Sequence, residues 1–194
     1  MEPIILASAS PRRKDLLNQA GIPFTVQPSK VDEDMSELSG SPEQKAEQLA
    51  CLKAWDVAES SSGRLIVGAD TIVVLDEVIF GKPCNDDDAY QILAKLSGRE
   101  HKVMTGIAVV DSWNKVCKTA CEVTKVRFAH LSPEEIKYYI ATGEPYGKAG
   151  AYAVQGRGAL FVEGIHGCYA NVVGLPLIRL RRLLEEFGVK PLQL

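Results

Sequence analysis

The sequence predicts an α/β protein, on three observations. Residues Leu65 to Leu75 read Leu-Ile-Val-Gly-Ala-Asp-Thr-Ile-Val-Val-Leu, a β-branched apolar run with the composition of a strand buried on both faces. Around it stand several segments with helix start and stop signals. Residues 100–110 and 115–128 then read as two long strands joined around Ser112-Trp113-Asn114. A chain of 194 residues with 46% hydrophobic content can bury a substantial core. Residues 1–194 are therefore expected to form a single domain, with one large core or two closely packed lobes.

Residues 3–7 read as a first strand, and Ser10 and Pro11 are suited to the cap and first position of a helix that Gly21 ends. Residues 22–26 form a second strand, followed by the acidic loop Val31-Asp32-Glu33-Asp34. Ser41 and Gln44 make a capping box with Pro42 between them, and Ala46, Leu49, Ala50, Ala54, Val57 and Ala58 form the buried stripe of that helix. The central strand is read as continuing in part to Phe80, before the tight loop Gly81-Lys82-Pro83. Asn85 caps a helix with three aspartates in its first turn, Tyr90, Ile92, Leu93 and Leu96 inward, and Gly98 at its end. Ser132 and Glu135 form a second capping box, on a helix that stops at Gly143. Residues 159–162 are expected as a strand, 171–176 as a turn and 176–187 as a closing helix.

Composition excludes several classes. With a net charge of −3 and its Lys and Arg residues dispersed, the chain lacks the basic surface of a nucleic-acid polymer or membrane binder, and only 7% aromatic residues argue against a single-stranded nucleic-acid platform. The amino terminus has no basic region, and its apolar run is too short for a signal or membrane helix, so a cytoplasmic protein is expected. Five cysteines without a Cys-x-x-Cys pair read as free thiols in a reducing compartment.

The candidate chemistry lies in residues that a purely structural chain would avoid. Asp70 interrupts the central apolar run, where it either binds a metal, a cation or a reacting water, or pairs with a backbone amide or a lysine. Arg12 and Arg13 stand in a first helical turn, against the helix dipole, which is understandable if an anion docks there. Lys53 falls inside an apolar helix face and either extends outward to water or reaches a buried anion. Clustered loop carboxylates such as Asp32, Glu33 and Asp34 are ordinarily just solvated. Residues 143–158 hold a run of glycines expected to let backbone approach a nucleotide phosphate or base. This is not a Walker loop, since Ala149 stands where Ser or Thr would hold Mg²⁺, and no dinucleotide fingerprint follows the first strand. His166 has no visible partner, and no Ser-His-Asp or Cys-His arrangement is legible, which disfavours acyl chemistry. Together these cations and carboxylates suit a polyphosphate, a divalent ion and an activated water, as phosphoanhydride hydrolysis requires.

In this light the sequence resembles the Maf-like nucleoside triphosphate pyrophosphatases over nearly its whole length. The resemblance rests on Ser8-x-Ser10-Pro11-Arg12-Arg13, Gly68-Ala69-Asp70-Thr71, Gly81-Lys82-Pro83, Thr105-Gly106, Lys148-Ala149-Gly150-Ala151-Tyr152 through Gln155-Gly156, and Asn171-Val172-Val173-Gly174-Leu175-Pro176. It implies an elongated mixed sheet flanked by helices, with two lobes around a central cleft, similar to inosine triphosphatase. It implies hydrolysis of a nucleoside triphosphate with Mg²⁺ or Mn²⁺, and Asp70 as proton acceptor. Ser8, Arg13, Lys53 and Lys82 would bind phosphates, Glu33 and Asp70 the metal, while Arg12, Thr71 and Gln155 would select the base. The Gln155 setting looks like the dTTP and UTP branch, and a glutamine amide can pair with a pyrimidine edge. Many members carry Asp where this chain has Gly147, which removes a salt bridge or metal contact. A homodimer is also implied. The rival reading is a non-catalytic nucleotide-binding regulator of cell division and septum formation.

Overall fold

In the computed structural model, which describes residues 2–193, the chain alternates strand and helix as the sequence predicts. It begins with β1 (Ile4–Leu6), α1 (Pro11–Gln19), β2 (Phe24–Val26), α2 (Pro42–Ala58), β3 (Leu65–Leu75) and β4 (Val78–Phe80). There follow α3 (Asp86–Leu96), β5 (Glu100–Asp111), β6 (Val116–Phe128), α4 (Pro133–Ile140), β7 (Val162–His166), α5 (Tyr169–Val173) and α6 (Leu177–Glu186). The strands form one seven-stranded sheet in the order β2-β1-β3-β5-β6-β7, with β4 beside β3. β1 runs parallel to both β2 and β3, whereas β3–β4 and β6–β7 are antiparallel, so the sheet is mixed.

Helix starts follow the sequence closely. Ser41 Oγ accepts from Gln44 N–H while Gln44 Oε1 accepts from Ser41 N–H, closing the capping box, and Ser132 with Glu135 repeats it. Asn85 Oδ1 accepts from Asp88 N–H at 2.8 Å. Ser10 occupies the cap position of α1, but its side chain makes no capping bond; its own N–H donates to Ser8 Oγ instead.

Four expectations need correction. β4 does not prolong β3 but folds back on it through Asp76 and Glu77, both at positive φ (49° and 62°). That is the two-residue hairpin geometry usually signalled by Asn-Gly, and Asp-Glu gives no such signal. Residues 159–162 are not a strand: Arg157–Phe161 is a 3₁₀ turn, and β7 starts at Val162. Residues 171–176 are not only a turn, because Asn171 to Val173 lie in α5. In α3 Ile92, Leu93 and Leu96 are buried as expected and Ala89 joins them, whereas Tyr90 is only half-buried against the same core.

The chain divides into two compact units, and the division falls on β3 between Asp70 and Thr71. The first comprises Met1–Asp70, Thr105–Glu122 and Gly174–Leu194. One of its core clusters gathers Ile5, Ala50, Ala54, Val57, Ile66, Ala108 and Val110. The second comprises Thr71–Met104 and Val123–Val173, around Val73, Leu93, Leu96, Phe128, Ile136, Tyr152 and Phe161. Phe128 is fully buried there and meets His101, Tyr152 and Phe161 edge-on. His101 shares a hydrogen bond with the Tyr152 hydroxyl, and burial pushes its pKa down to about 4, so this histidine is a neutral core residue.

Within the first unit, α2 lies unusually close to the sheet. A Cβ on Gly68 would stand 2.1 Å from the carbonyl oxygen of Ala50, and one on Gly106 would stand 2.3 Å from the backbone of Ala46. Small residues on both sides set this spacing, since any added side chain must push backbone from backbone. Gly68→Ala should therefore cost about 1–3 kcal/mol by overpacking. Gly143→Ala, in open space at φ 74°, should cost only the left-handed backbone penalty of about 1 kcal/mol. Urea unfolding of the two variants measures this, and an equal or smaller loss for Gly68→Ala would contradict the close packing.

Candidate active site

Gly68 and Asp70 are two apart on β3 and so share a face, the one that α2 covers. Ala50 meets that face at Gly68, and Lys53, one helical turn on, meets it at Asp70. Lys53 Nζ donates to Asp70 Oδ1 at 2.7 Å and to Glu33 Oε1 at 2.7 Å. The lysine thus reaches buried and loop anions instead of extending outward, and Asp70 takes up the lysine pairing that its sequence position allowed. Side-chain exposure is 7% for both Lys53 and Asp70 and 39% for Glu33, so the three-residue chain leads from the interior to water.

Of the three loop acids, only Glu33 is shown to reach Lys53. Asp34 accepts from the backbone and hydroxyl of Ser36, which hold its carboxyl below the usual range, and Asp32 accepts from Asp34 N–H. Arg13 adds a second cation. Its Nη1 donates to Ser8 Oγ at 2.9 Å and its Nε to the Gly174 carbonyl at 2.8 Å, so a local hydroxyl and a carbonyl 161 positions away fix one guanidinium. Burial lowers the Arg13 pKa, while the charges of Asp70 and Glu33 act in the opposite direction. Arg12 is half-buried beside it in the first turn.

Burial raises the pKa of Asp70 above its ordinary value of 3.8, more than Lys53 and then Arg13 draw it down. The first unit therefore brings together Ser8, Arg13, Glu33, Lys53 and Asp70. The carbonyl of Gly174 is the contributor that sequence reasoning missed. Only the Asn171–Pro176 motif drew attention to that region, and a backbone acceptor leaves no side-chain signature.

The remaining candidates belong to the second unit. Thr71 is half-buried on β3; Lys82 and Gln155 are exposed on loops. The Lys82 loop is anchored by Gly150 N–H, which donates to the Gly81 carbonyl at 3.0 Å. In the glycine-rich segment, three glycines lie against the protein's own groups. A Cβ on Gly150 would clash with Val73, on Gly156 with the Glu144 carboxylate, and on Gly158 with the Ala153 carbonyl and Tyr139 hydroxyl. These glycines admit the protein's own packing. Glu144 organises the segment, accepting from Tyr139 Oη, Arg157 N–H and Gly158 N–H at 2.9–3.0 Å. Gly147 is exposed at φ 70° with nothing near its missing side chain. His166 is exposed on β7.

A family model described as "Maf-like protein" matches residues 3–187. The dTTP/UTP pyrophosphatase of Ruminiclostridium cellulolyticum is 56% identical over 98% of both chains. Those of Pelotomaculum thermopropionicum and Moorella thermoacetica are each 49% identical over 97% of this chain, and over 98% and 97% of their own. Among solved structures, the Staphylococcus aureus Ham1 protein is more loosely similar, with a TM-score of 0.46 and 16% identity over 66% of this chain and 72% of its own. With a family match over nearly the whole length and relatives near half identity, the chain belongs to the Maf family.

Proposed function

We propose that this protein is a nucleoside triphosphate pyrophosphatase that takes dTTP and UTP to the monophosphate and pyrophosphate. The observation that carries the reading is the buried Asp70 carboxylate of raised proton affinity, held on Lys53 between Glu33 and the interior. The names of the relatives supply the substrate class.

In the proposed reaction, water adds to the α-phosphorus as its bond to the α,β-bridging oxygen breaks, and pyrophosphate departs. Asp70 accepts the proton of that water. An ordinary aspartate is a weak base at neutral pH, and a raised pKa brings it nearer the range where proton transfer is efficient. Arg13 and Lys53 stabilise charge on the phosphate oxygens, and Ser8, buried against Arg13, donates or orients. The family resemblance adds Lys82 as a further phosphate-binding residue, and Arg12, Thr71 and Gln155 as residues that select the base.

The donor set fits a divalent cation. Glu33 and Asp70 converge on one ammonium, and Mg²⁺ is commonly bound by one or two carboxylates together with substrate phosphates. Among the described residues no group of three or more His, Cys, Asp or Glu side chains is gathered that could hold a metal, so the remaining ligands would be phosphate oxygens and water. Bound there, Mg²⁺ or Mn²⁺ would neutralise charge on the phosphates. The resemblance further supports a homodimer acting in the cytoplasm, and among the described residues no helix is long and apolar enough to cross a membrane.

Pyrophosphate release with Mg²⁺ or Mn²⁺ across the nucleoside triphosphates tests the reading. The natural chain should turn over dTTP and UTP and lose activity with a chelator. Asp70→Asn should lower kcat by about 10²–10⁴-fold while nucleotide still binds, and Gln155→Ala should erode the preference for the pyrimidine nucleotides. Binding without pyrophosphate release from any of them would favour the regulator instead.

Stability against pH tests the Asp70 environment separately. A carboxyl whose folded pKa lies above its unfolded one binds protons more tightly when folded, so it costs stability as pH rises from about the ordinary value of 3.8 to the folded value. The unfolding free energy of Asp70→Asn minus that of the natural chain should therefore grow through this range and then level off. Urea titrations from pH 4 to 8 measure the difference, and one that shrinks with pH would show that Lys53 outweighs burial.

A further inference from the structure

Cys51 on α2 and Cys117 on β6 are 66 positions apart in sequence, yet their sulfurs lie 3.0 Å apart in the first unit. That is closer than two non-bonded sulfurs ordinarily approach, and a disulfide requires them to close by only about 1 Å more. Both thiols are half-buried and pack with Trp55 against the cluster around Ala50, Ala54 and Ala108.

The two thiols are chemically distinct. Cys117 hydrogen-bonds to Cys51, which pulls the Cys51 pKa down to about 7 and pushes the Cys117 thiol up. A proton shared between the two sulfurs favours the thiolate on one of them, the pairing of an attacking and a resolving cysteine. The remaining thiols lack this arrangement. Burial, with Glu47, Glu43 and Glu122 nearby, pushes Cys121 up to about 12, Cys84 is exposed and Cys168 is half-buried.

We propose that Cys51 and Cys117 form a reversible oxidation site that a peroxide-class oxidant converts into an intrachain disulfide. The Cys51 thiolate attacks one peroxide oxygen and the O–O bond breaks; the departing hydroxide takes up a proton as water, leaving Cys51 as sulfenic acid. The Cys117 sulfur then displaces the hydroxyl group from Cys51, which leaves as a second water with the Cys117 proton. Two thiols and one hydrogen peroxide give one disulfide and two waters. The bond ties α2, two residues before Lys53, to β6. It is independent of the proposed hydrolysis, so either reading can fail alone.

The test uses the full chain, reduced and then exposed to hydrogen peroxide, blocked with a maleimide and mapped by mass without reduction. The free thiol count should fall from the five of the sequence to three. A Cys51–Cys117 cross-linked peptide should appear and revert with dithiothreitol, and the unfolding midpoint should rise by about 5 °C or more. In Cys117→Ser, oxidation should stop at a Cys51 sulfenic acid trapped by dimedone. The proposal is overturned if Cys51 and Cys117 both remain open to the maleimide after peroxide, or if the oxidised cysteines are Cys84 or a link between chains.

Discussion

The Lys53 ammonium, shared between Asp70 and Glu33, is the interaction on which the first unit's polar cluster depends. Placing a carboxylate in the middle of an apolar strand costs several kcal/mol unless a cation meets it. Lys53 meets it from the covering helix, and Glu33 draws the same ammonium toward solvent. One positive charge held by two carboxylates leaves a net negative centre, which the charge of Arg13 offsets at longer range. Two cations thus face two carboxylates across the cluster. Removing one member leaves another buried without its counter-charge, so these residues are mutually dependent.

That ammonium is in reach only because α2 lies nearly against the sheet. The contact follows from sequence: alanines at 46, 50 and 54 on the helix, glycines at 68 and 106 on the strands. Each missing side chain shortens the distance between backbones, and the shortened distance is what lets a lysine one turn from Ala50 bond a carboxylate two residues from Gly68. The small-residue stripe thus determines the geometry of a charged site. It is a packing feature with a chemical consequence, and the adjoining sulfurs of Cys51 and Cys117 lie at the edge of the same helix contact.

Much of this was legible in the sequence, because the relevant signals are local. Capping residues marked the starts of α2, α3 and α4, and the inward face of α2 was readable from its period, including the anomalous Lys53. Asp70 stood out because a charge broke an apolar run. What escaped was set by distance or by backbone. The turn at Asp76 and Glu77 adopts positive φ without Gly or Asn to announce it. The Gly174 carbonyl that fixes Arg13 lies 161 positions away and carries no side chain. The thiol pair spans 66 positions, and no spacing rule foretells two sulfurs brought together by a helix lying on a strand. In residues 143–158 the reading of close approach holds for three of the five glycines, Gly150, Gly156 and Gly158, which approach Val73, Glu144 and Tyr139, while Gly143 and Gly147 face open space.

Glu144 and Asp70 show how environment divides the work of two carboxylates. Burial opposes ionisation in both, but the outcome differs because their hydrogen-bond donors differ. Glu144 accepts from the Gly158 and Arg157 amides and the Tyr139 hydroxyl, which together outweigh burial and hold its carboxyl below the usual range. An acid so well satisfied is a poor proton acceptor and a good anchor, which suits a residue around which a loop is wound. Asp70 is buried more deeply, Lys53 holds its Oδ1, and its pKa moves up. Where two acids are pushed in opposite directions, the one left with the higher proton affinity is the better candidate for proton transfer. That criterion supports the proposed role of Asp70 from the physics of its surroundings, independently of its place in any motif.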